Sequence, residues 1–364
     1  MSAPDLGPLE ATLVSQALAS TILCFGPMLE RFERQLAEFA GAKHAAALSS
    51  GTSALHACVV AAGIGDGDEV ITTPFSFVAS SNCLLFERAL PCFVDVDPRT
   101  GNLDPALIEQ RITPRTKAIL PVHVFGQPVD MDPVTEIARR RGLVVIEDAC
   151  EAIGAEYKGR SAGTLGDAGV FAFYPNKQIT TGEGGAIVTN REDWDHLFRS
   201  LRNQGRDVMD PWLVHSRLGF NYRLGELAAA LGVAQMERLP ELLAKRERVA
   251  ALYAERLAGI DRVSIPLIVD TTSRMSWFVY VVRLDHSLNR DDVMRRLAAD
   301  GVPTRPYFSA IHLQPFYRRR FGFSEGDFPV TEDLAARSMA LPFHGNLSEA
   351  DIEYVCDRLI AYTR

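Results

Sequence analysis

Residues 144–151 read Val144-Val145-Ile146-Glu147-Asp148-Ala149-Cys150-Glu151, an apolar run that ends in carboxylates. A short run of this kind is typical of a buried strand in a parallel sheet. The carboxyl ends of such strands face the ligand crevice of an open α/β sheet. Asp148 is therefore predicted either to serve a ligand at this edge or to cap the helix that follows.

A second apolar run, Gly169-Val170-Phe171-Ala172-Phe173, leads into Tyr174-Pro175-Asn176-Lys177. The glycine-rich stretch Thr180-Thr181-Gly182-Glu183-Gly184-Gly185 comes next. A lysine just beyond a buried strand is partly desolvated, which favours the uncharged amine that attacks aldehydes. The alternative is an ordinary surface lysine, but the chain has only five lysines, so candidates are few.

A strand-end lysine and a strand-end acid together indicate pyridoxal phosphate (PLP). The lysine forms a Schiff base with the cofactor, and the acid keeps its pyridine nitrogen protonated. Residues 49–55 offer a small-residue turn before a helix N-terminus, where free N–H groups bind phosphate, although such turns are often plain helix caps. Residues 73–77 place Phe77 after another strand, where it can stack on the ring or belong to the core.

The surrounding pattern predicts a large α/β domain at residues 1–240 and a smaller C-terminal α+β domain at 241–364. Short β-rich runs alternate with amphipathic stretches from Lys43 to Val188, which favours a mainly parallel mixed sheet. A helical pattern follows from Arg223 to about Ala258, with a charged stretch at 244–248 as the expected connection between domains. The N-terminal segment is a candidate for packing on the small domain. The predicted strands are Ala45–Leu48, Glu69–Thr72, Cys92–Val94, Ala118–Val122, Leu143–Ile146, Gly169–Phe173, Ala186–Thr189 and Trp277–Leu284. The predicted helices include Thr52–Ala62, Ser80–Arg88, Asp104–Arg111, Pro133–Arg141, Arg290–Ala299 and Glu349–Tyr362.

Bulk composition narrows the class of protein. The chain has 364 residues, of which 47% are hydrophobic and 23% charged, as in globular proteins. A net charge of −8 argues against nucleic acid as a partner, and Arg318 to Arg320 are expected to form a solvated face. The six cysteines lack metal-ligand spacing, so no metal is expected. No secretory segment or membrane span is predicted, and a cytoplasmic location is expected.

The order and spacing of these motifs resemble the DegT-type sugar aminotransferases, which are fold-type-I PLP enzymes, from Gly26 through the final helix. The most specific matches are Ser50-Gly51-Thr52, Glu147-Asp148-Ala149, Lys177 with Gly182-Glu183-Gly184-Gly185, and Asn221-Tyr222-Arg223-Leu224. The resemblance implies that Lys177 is the Schiff-base lysine, that Asp148 pairs with the pyridine nitrogen and that Phe77 stacks on the ring. It also implies that Gly51 and Thr52 bind the phosphate and that Glu151 lies near the ring hydroxyl.

Two positions depart from the family pattern. Many relatives have serine, a phosphate ligand, where Ala172 stands, so this chain has fewer side-chain donors for the phosphate. Many have glutamine in place of Glu151. In the C-terminal domain, residues 304–308 and 311–315 resemble the loop on the substrate side, which makes Arg305, Tyr307 and His312 candidate substrate-binding residues. Arg305 could pair with a carboxylate or phosphate, whereas His312 is equally interpretable as a structural histidine.

The implied reaction moves an amino group from L-glutamate to a nucleotide-linked keto-deoxysugar. The Gly182-Glu183-Gly184-Gly185 form of the motif favours a 4-keto over a 3-keto acceptor. The alternatives are a keto-cyclitol aminotransferase and a non-catalytic PLP-binding regulator. Lys177 argues against PLP-dependent deoxygenases, which have histidine there, and no Gly-x-Gly-x-x-Gly turn supports a nicotinamide dehydrogenase. The resemblance also implies a homodimer with shared active sites, in which Asn221 reaches the neighbour's cofactor phosphate. The competing interpretation is that Asn221 caps its own helix.

Overall fold

A computed structural model describes residues 3–207, 211 and 213–364. The predicted first domain, 1–240, also contains residues 1, 2, 208–210 and 212, which lie outside the described residues. The helices are α1 Pro8–Ala19, α2 Pro27–Ala40, α3 Gly51–Ala61, α4 Ala79–Phe86, α5 Met131–Arg141, α6 Glu192–Arg202, α7 Glu226–Leu257, α8 Arg290–Ala299, α9 Pro315–Phe321, α10 Pro329–Arg337 and α11 Glu349–Thr363. The strands are β1 His44–Leu48, β2 Glu69–Thr72, β3 Leu90–Phe93, β4 Thr116–Ile119, β5 Val144–Asp148, β6 Glu156–Tyr157, β7 Arg160–Ser161, β8 Ala168–Ala172, β9 Gly185–Thr189, β10 Val263–Ser264, β11 Thr272–Arg274, β12 Val281–Leu284, β13 Arg305–Pro306 and β14 Ser338–Ala340.

The main sheet has seven strands in the order β1-β9-β8-β5-β4-β2-β3. Strands β8, β5, β4, β2 and β3 pair in parallel, and β9 is antiparallel to both of its neighbours. The sheet is thus mixed and mainly parallel, which confirms the predicted α/β class. Because the parallel strands end at one edge, the residues that follow them meet in one crevice.

Helix α7 links the two cores. Its first part packs in one hydrophobic cluster with α2 through Leu239 and Leu243, and its last part contributes Val249 and Tyr253 to a second cluster with β12 and α11. The helix continues through Pro240 and through the charged stretch 244–248, where a connection was expected. The domain division at residue 240 falls inside this helix and stays a prediction.

The second core lies under a four-stranded antiparallel sheet, ordered β10-β12-β14-β13. A small third sheet joins β11 to β6 and β7. The N-terminal segment packs along α7, where Gln235, Arg238 and Lys245 all donate hydrogen bonds to Asp5. None of the described helices combines the length and the apolar character that a membrane crossing requires.

Several sequence-based boundaries differ from the structure, and three of the differences have a clear physical reason or change the type of element. Residues 104–111 form two short 3-10 turns, separated at Ile108, instead of one α-helix. The strand predicted from Trp277 begins only at Val281, because Trp277 has a positive φ of 50° that breaks extended backbone. Helix α7 begins at Glu226, since Arg223 still pairs with Leu48 in an antiparallel bridge.

Candidate active site

A cavity of about 320 Å³ lies at the carboxyl edge of the main sheet. Parts of it come from the ends of β2, β5 and β8, from the first turn of α3 and from two loops of the second core. Its lining includes Ser50, Gly51, Thr52, Ser76, Phe77, Ser80, Asp148, Cys150, Glu151, Ala172, Tyr174, Asn176, Lys177, Glu183, Phe278, Tyr307 and Phe308. The structure therefore brings together most of the residues that the sequence motifs selected.

Asp148 ends β5 and is 5% exposed. Its Oδ2 accepts a 2.7 Å hydrogen bond from the Ser80 hydroxyl, and its Oδ1 accepts one of 3.1 Å from the backbone N–H of Cys150. Ser76 and Ser80 hydroxyls are 2.8 Å apart, which extends the network. Asp148 does not cap an α-helix, since the next α-helix begins only at Glu192. A carboxylate held from two sides at the sheet edge has a fixed direction into the cavity.

Lys177 reaches the same cavity from the loop after β8. Its Nζ lies 3.5 Å from Oε1 of Glu151 and 4.0 Å from the ring centroid of Phe278. Glu151 is 6% exposed, and its Oε2 accepts a 2.9 Å hydrogen bond from the Phe125 N–H. Burial raises the pKa of Glu151, although the nearby Lys177 acts in the opposite direction. The lysine amine is thus enclosed by an aromatic face and one carboxyl group.

The turn at residues 50–52 forms the candidate phosphate site. Ser50 is the N-cap of α3, and its side chain accepts a 3.0 Å hydrogen bond from Ser53 N–H. The N–H groups of Gly51 and Thr52 lie in the first helical turn, where no intrahelical carbonyl can receive them. A Cβ at Gly51 would lie 2.7 Å from Cβ of Ala172, so only glycine fits. The helix N-terminus and two free donors suit an anion.

The glycine-rich turn packs directly against that site. A Cβ on Gly185 would lie 2.4 Å from the backbone of Ser50, and one on Gly184 would lie 2.2 Å from Oγ1 of Thr181. Gly182 has φ of 82°, a conformation that favours glycine. Close neighbours therefore explain Gly184 and Gly185, the positive φ explains Gly182, and the intervening Glu183 lines the cavity.

Phe77 lines the cavity with its side chain 62% exposed. The core position in this segment belongs to Phe75, which is 1% exposed, so the alternative interpretation of Phe77 as a core aromatic does not hold. An exposed phenyl ring at the cavity wall is free to stack on a planar ligand.

Of the three substrate-side candidates, only Tyr307 lines the cavity. Its pKa is raised to about 12, mainly by burial and further by the charge of Glu151. Arg305 is exposed, and its Nη1 donates a hydrogen bond to the carbonyl of the adjacent Thr304. His312 is fully buried, 3.0 Å from Oε1 of Glu332 and packed against Phe328, a geometry that favours its interpretation as a structural histidine.

Asn221 does not cap a helix. The N-cap of α7 is Gly225, whose position has no side-chain cap bond, and Asn221 instead forms a backbone bridge with Asn203. The Asn221 side chain is exposed, and among the described residues it has no hydrogen-bond partner.

Three residues with clear roles in this geometry were not selected from sequence. Ser80 could have been found, since it begins a predicted helix only a few residues after a strand end, where hydroxyl groups can face the ligand crevice. Nothing in the sequence indicated that Phe278 belongs to the site, because its segment was predicted only as a strand. Arg246 is 5% exposed and donates hydrogen bonds to the carbonyls of Trp277, Phe278 and Lys177, which links both cores to the lysine loop.

These residues fit PLP. The Gly51 cradle admits no side chain and offers two free N–H groups to a phosphate, Asp148 supplies a fixed carboxylate for a ring nitrogen, Phe77 presents a bare ring face, and Lys177 supplies the amine. Such a site on a mainly parallel mixed sheet with a smaller α+β part defines a fold-type-I PLP-dependent aminotransferase.

Comparison with known proteins makes the assignment specific. The model of the DegT/DnrJ/EryC1/StrS aminotransferase family matches residues 4–360. The GDP-perosamine synthase of Caulobacter vibrioides is 45% identical over 369 residues, which cover 99% of this chain and 96% of that protein. The chain belongs to the DegT/DnrJ/EryC1/StrS family, as its motifs predicted, and is a PLP-dependent sugar aminotransferase.

Solved structures agree with this assignment. DesV of S. venezuelae, in complex with a ketimine intermediate, has a TM-score of 0.92 and 34% identity, with 98% of this chain and 94% of that chain covered. Helicobacter pylori PseC, an aminotransferase involved in the biosynthesis of pseudoaminic acid, has a TM-score of 0.93 and 29% identity, with 100% and 98% covered.

Proposed function

We propose that this enzyme transfers the amino group of L-glutamate to the 4-keto group of a deoxysugar linked to a nucleoside diphosphate. The observation that carries the proposal is the joint placement of Lys177, Asp148 and the Gly51 cradle in one cavity whose far wall, with Tyr307 and Phe308, opens toward a wider pocket. The product class is an amino sugar for polysaccharide or natural-product biosynthesis.

Lys177 has two tasks in this proposal. It holds the cofactor covalently in the resting enzyme, and after release its amine moves a proton between the amino donor and the cofactor as base and then acid. PLP, when bound, supplies an electron sink for the carbanion formed by proton loss. Asp148 keeps the ring nitrogen protonated, and the Ser80 hydroxyl and the Cys150 N–H fix its carboxylate.

Glu151 and Tyr307 form the side of the cavity near Lys177 that receives the acceptor. Because burial raises the pKa of both groups, their neutral forms are favoured relative to exposed residues. The neutral Tyr307 hydroxyl at this wall can hydrogen-bond a sugar hydroxyl without repelling an anionic substrate.

Two observations support the acceptor class. A relative that matches almost the full chain is named for a GDP-linked amino sugar. The Gly182-Glu183-Gly184-Gly185 motif is the form that the family resemblance associates with 4-keto acceptors. A keto-cyclitol is the competing acceptor, and it differs by having no nucleotide.

We also infer a homodimer with shared active sites. The phosphate turn provides the N–H groups of Gly51 and Thr52 but no hydroxyl from Ala172, and a poorly satisfied buried phosphate is costly. Asn221 is exposed, caps no helix and is a free amide donor. A neighbouring chain that offers Asn221 to the phosphate would complete the site.

The test uses the PLP-loaded protein. Addition of L-glutamate should bleach the visible band of lysine-bound PLP, with L-aspartate and L-alanine as competing donors. The aminated enzyme is then offered a panel of GDP-, UDP- and dTDP-linked 4-keto and 3-keto deoxysugars and a keto-inositol. Recovery of the band fastest with a nucleotide-linked 4-keto sugar supports the proposal. Recovery only with keto-inositol, or no bleaching by glutamate, contradicts it.

A further inference from the structure

A second pocket, of about 1010 Å³, adjoins the active-site cavity. The two share four lining residues: Ser76, Phe77, Tyr307 and Phe308. A substrate whose reacting carbon lies beside Lys177 can therefore extend from the active-site cavity into this second pocket and stay in contact with the protein along its length. The far side of the pocket is formed by α4 and by the short helix α9.

The charged side chains that line this pocket are positive, whereas the chain as a whole has a negative net charge. The lining residues include Arg319 and Arg320 and no aspartate or glutamate, although the chain has 46 acidic residues and a net charge of −8. Among the described residues, neither arginine forms an ion pair, whereas Arg256, Arg290, Arg295, Arg337 and Arg358 each do. Two uncompensated guanidinium groups at a pocket wall are suited to phosphate oxygens, which guanidinium groups bind in a bidentate fashion.

The same pocket exposes aromatic rings. Phe86 is 53% exposed and Phe316 is 46% exposed, and both line it. The guanidinium of Arg320 lies 5.9 Å from the ring centroid of Phe316. Exposed rings beside arginines provide stacking surface for a planar base.

We propose that this pocket is the nucleotide subsite, in which Arg319 and Arg320 bind the diphosphate of the acceptor and Phe86 or Phe316 stacks on its base. The inference rests on the proposed function and adds the residues that recognise the nucleoside diphosphate. It also revises the expectation that Arg318 to Arg320 form only a solvated face. That interpretation holds for Arg318, which does not line the pocket.

A competing explanation is that arginines in the last turn of α9 merely offset the partial negative charge of the helix C-terminus. That effect would apply equally to Arg318, Arg319 and Arg320, since all three lie in the last turn. The chain therefore contains its own control: Arg318→Ala removes one positive charge from the last turn of the same helix, outside the pocket.

The experiment measures binding of GDP, UDP and dTDP to the PLP-loaded full-length enzyme by calorimetry, with GMP and inorganic pyrophosphate as comparison ligands. The variants are Arg319→Ala/Arg320→Ala, Arg319→Lys/Arg320→Lys and Arg318→Ala. Glutamate bleaching and thermal unfolding are recorded for each, because they report the catalytic cavity and the fold independently of the nucleotide.

We expect at least one nucleoside diphosphate to bind more tightly than GMP and pyrophosphate. The double alanine variant should weaken that binding by about 10- to 100-fold, as expected for loss of two charge-assisted contacts. The double lysine variant should recover part of the affinity, and Arg318→Ala should change it by less than about threefold, as for an exposed charge. Glutamate bleaching should be the same in all variants.

Equal loss of affinity in Arg318→Ala and in the double alanine variant would overturn the inference, because a general field effect would then explain it. Unchanged nucleotide affinity in the double alanine variant would also overturn it. A change in the oligomeric mass of that variant without a change in affinity would do the same, because it would mark the pocket as a subunit contact. In those cases normal glutamate bleaching would leave the proposed aminotransferase reaction standing. Absence of bleaching in the wild type would instead contradict the proposed function.

Discussion

Nη2 of Arg246 donates a 3.0 Å hydrogen bond to the backbone carbonyl of Lys177. The other terminal nitrogen of this buried guanidinium binds the carbonyls of Trp277 and Phe278, and the Phe278 ring faces the lysine amine. Burial without a carboxylate partner lowers the pKa of Arg246 to about 10. One side chain on α7 thus fixes both the loop that carries Lys177 and the ring that covers its amine.

Arg246→Met should destabilise the protein by about 2 kcal/mol, since three buried carbonyls lose their donor while the buried charge is removed. Denaturant unfolding measures the change. PLP should also dissociate faster on dilution, because the lysine loop is no longer held. Arg246→Lys keeps the charge but not the three-way geometry, so its stability and its PLP dissociation rate should lie between those of Arg246→Met and the wild type. If Arg246→Met unfolds and releases PLP as the wild type does, Arg246 does not hold the lysine loop in place.

Lys177→Ala should leave a folded protein without the visible band of lysine-bound PLP and without detectable transamination, because no other lysine lines the cavity. Absorbance after PLP addition and borohydride reduction followed by mass analysis provide the measurement. Lys117→Ala removes an exposed lysine and serves as the control, with spectrum and activity unchanged. A borohydride-fixed adduct in Lys177→Ala would reject the assignment.

Asp148→Asn should slow the glutamate half-reaction by at least about tenfold, which corresponds to about 1.4 kcal/mol of barrier. The amide keeps the shape and the hydrogen bond from Ser80 but no longer holds a proton on the ring nitrogen. Stopped-flow kinetics separate this rate from glutamate affinity, which should change little. A wild-type rate would mean that Asp148 only organises the loop.

Glu151→Gln should stabilise the cofactor-free protein at pH 8, where ionisation of the buried glutamate opposes folding. The folded-state pKa of Glu151 is raised, mainly by burial. Its contribution to stability is therefore fully present below the unfolded value and is lost as pH rises through the folded pKa. The advantage of glutamine should accordingly disappear toward acidic pH. Unfolding at pH 5 and pH 8 provides the comparison, and a less stable variant at pH 8 would contradict the sign.

The shared-site model predicts complementation. A Lys177→Ala chain retains Asn221, and an Asn221→Ala chain retains Lys177, so their heterodimer should contain one intact site and about half of the wild-type activity per heterodimer. Asn221→Ala homodimers should bind PLP more weakly. Co-refolding and an activity assay make the measurement. Activity equal to the mean of an impaired Asn221→Ala parent and the inactive Lys177→Ala parent would place the asparagine within its own chain.

The family, and the placement of the candidate reacting residues in one cavity, could be predicted from the chain because each depends on a local pattern. Asp148 and Lys177 each follow an apolar run, and a parallel sheet necessarily gathers such strand ends at one edge. The turn at Gly51, the candidate phosphate site, was predicted for the same reason, since a small-residue turn before a helix is a local feature.

Ser80, Phe278, Arg246 and the arginine pocket were decided only by the tertiary structure. Ser80 meets Asp148 across 68 positions, and Arg246 meets Lys177 across 69. Likewise, nothing local distinguishes Arg318 from Arg319 and Arg320 in a run of three arginines. Which of them faces a pocket depends on how α9 packs against α4. A helix sets the direction of each side chain, but a pocket forms only where a neighbouring element packs beside it.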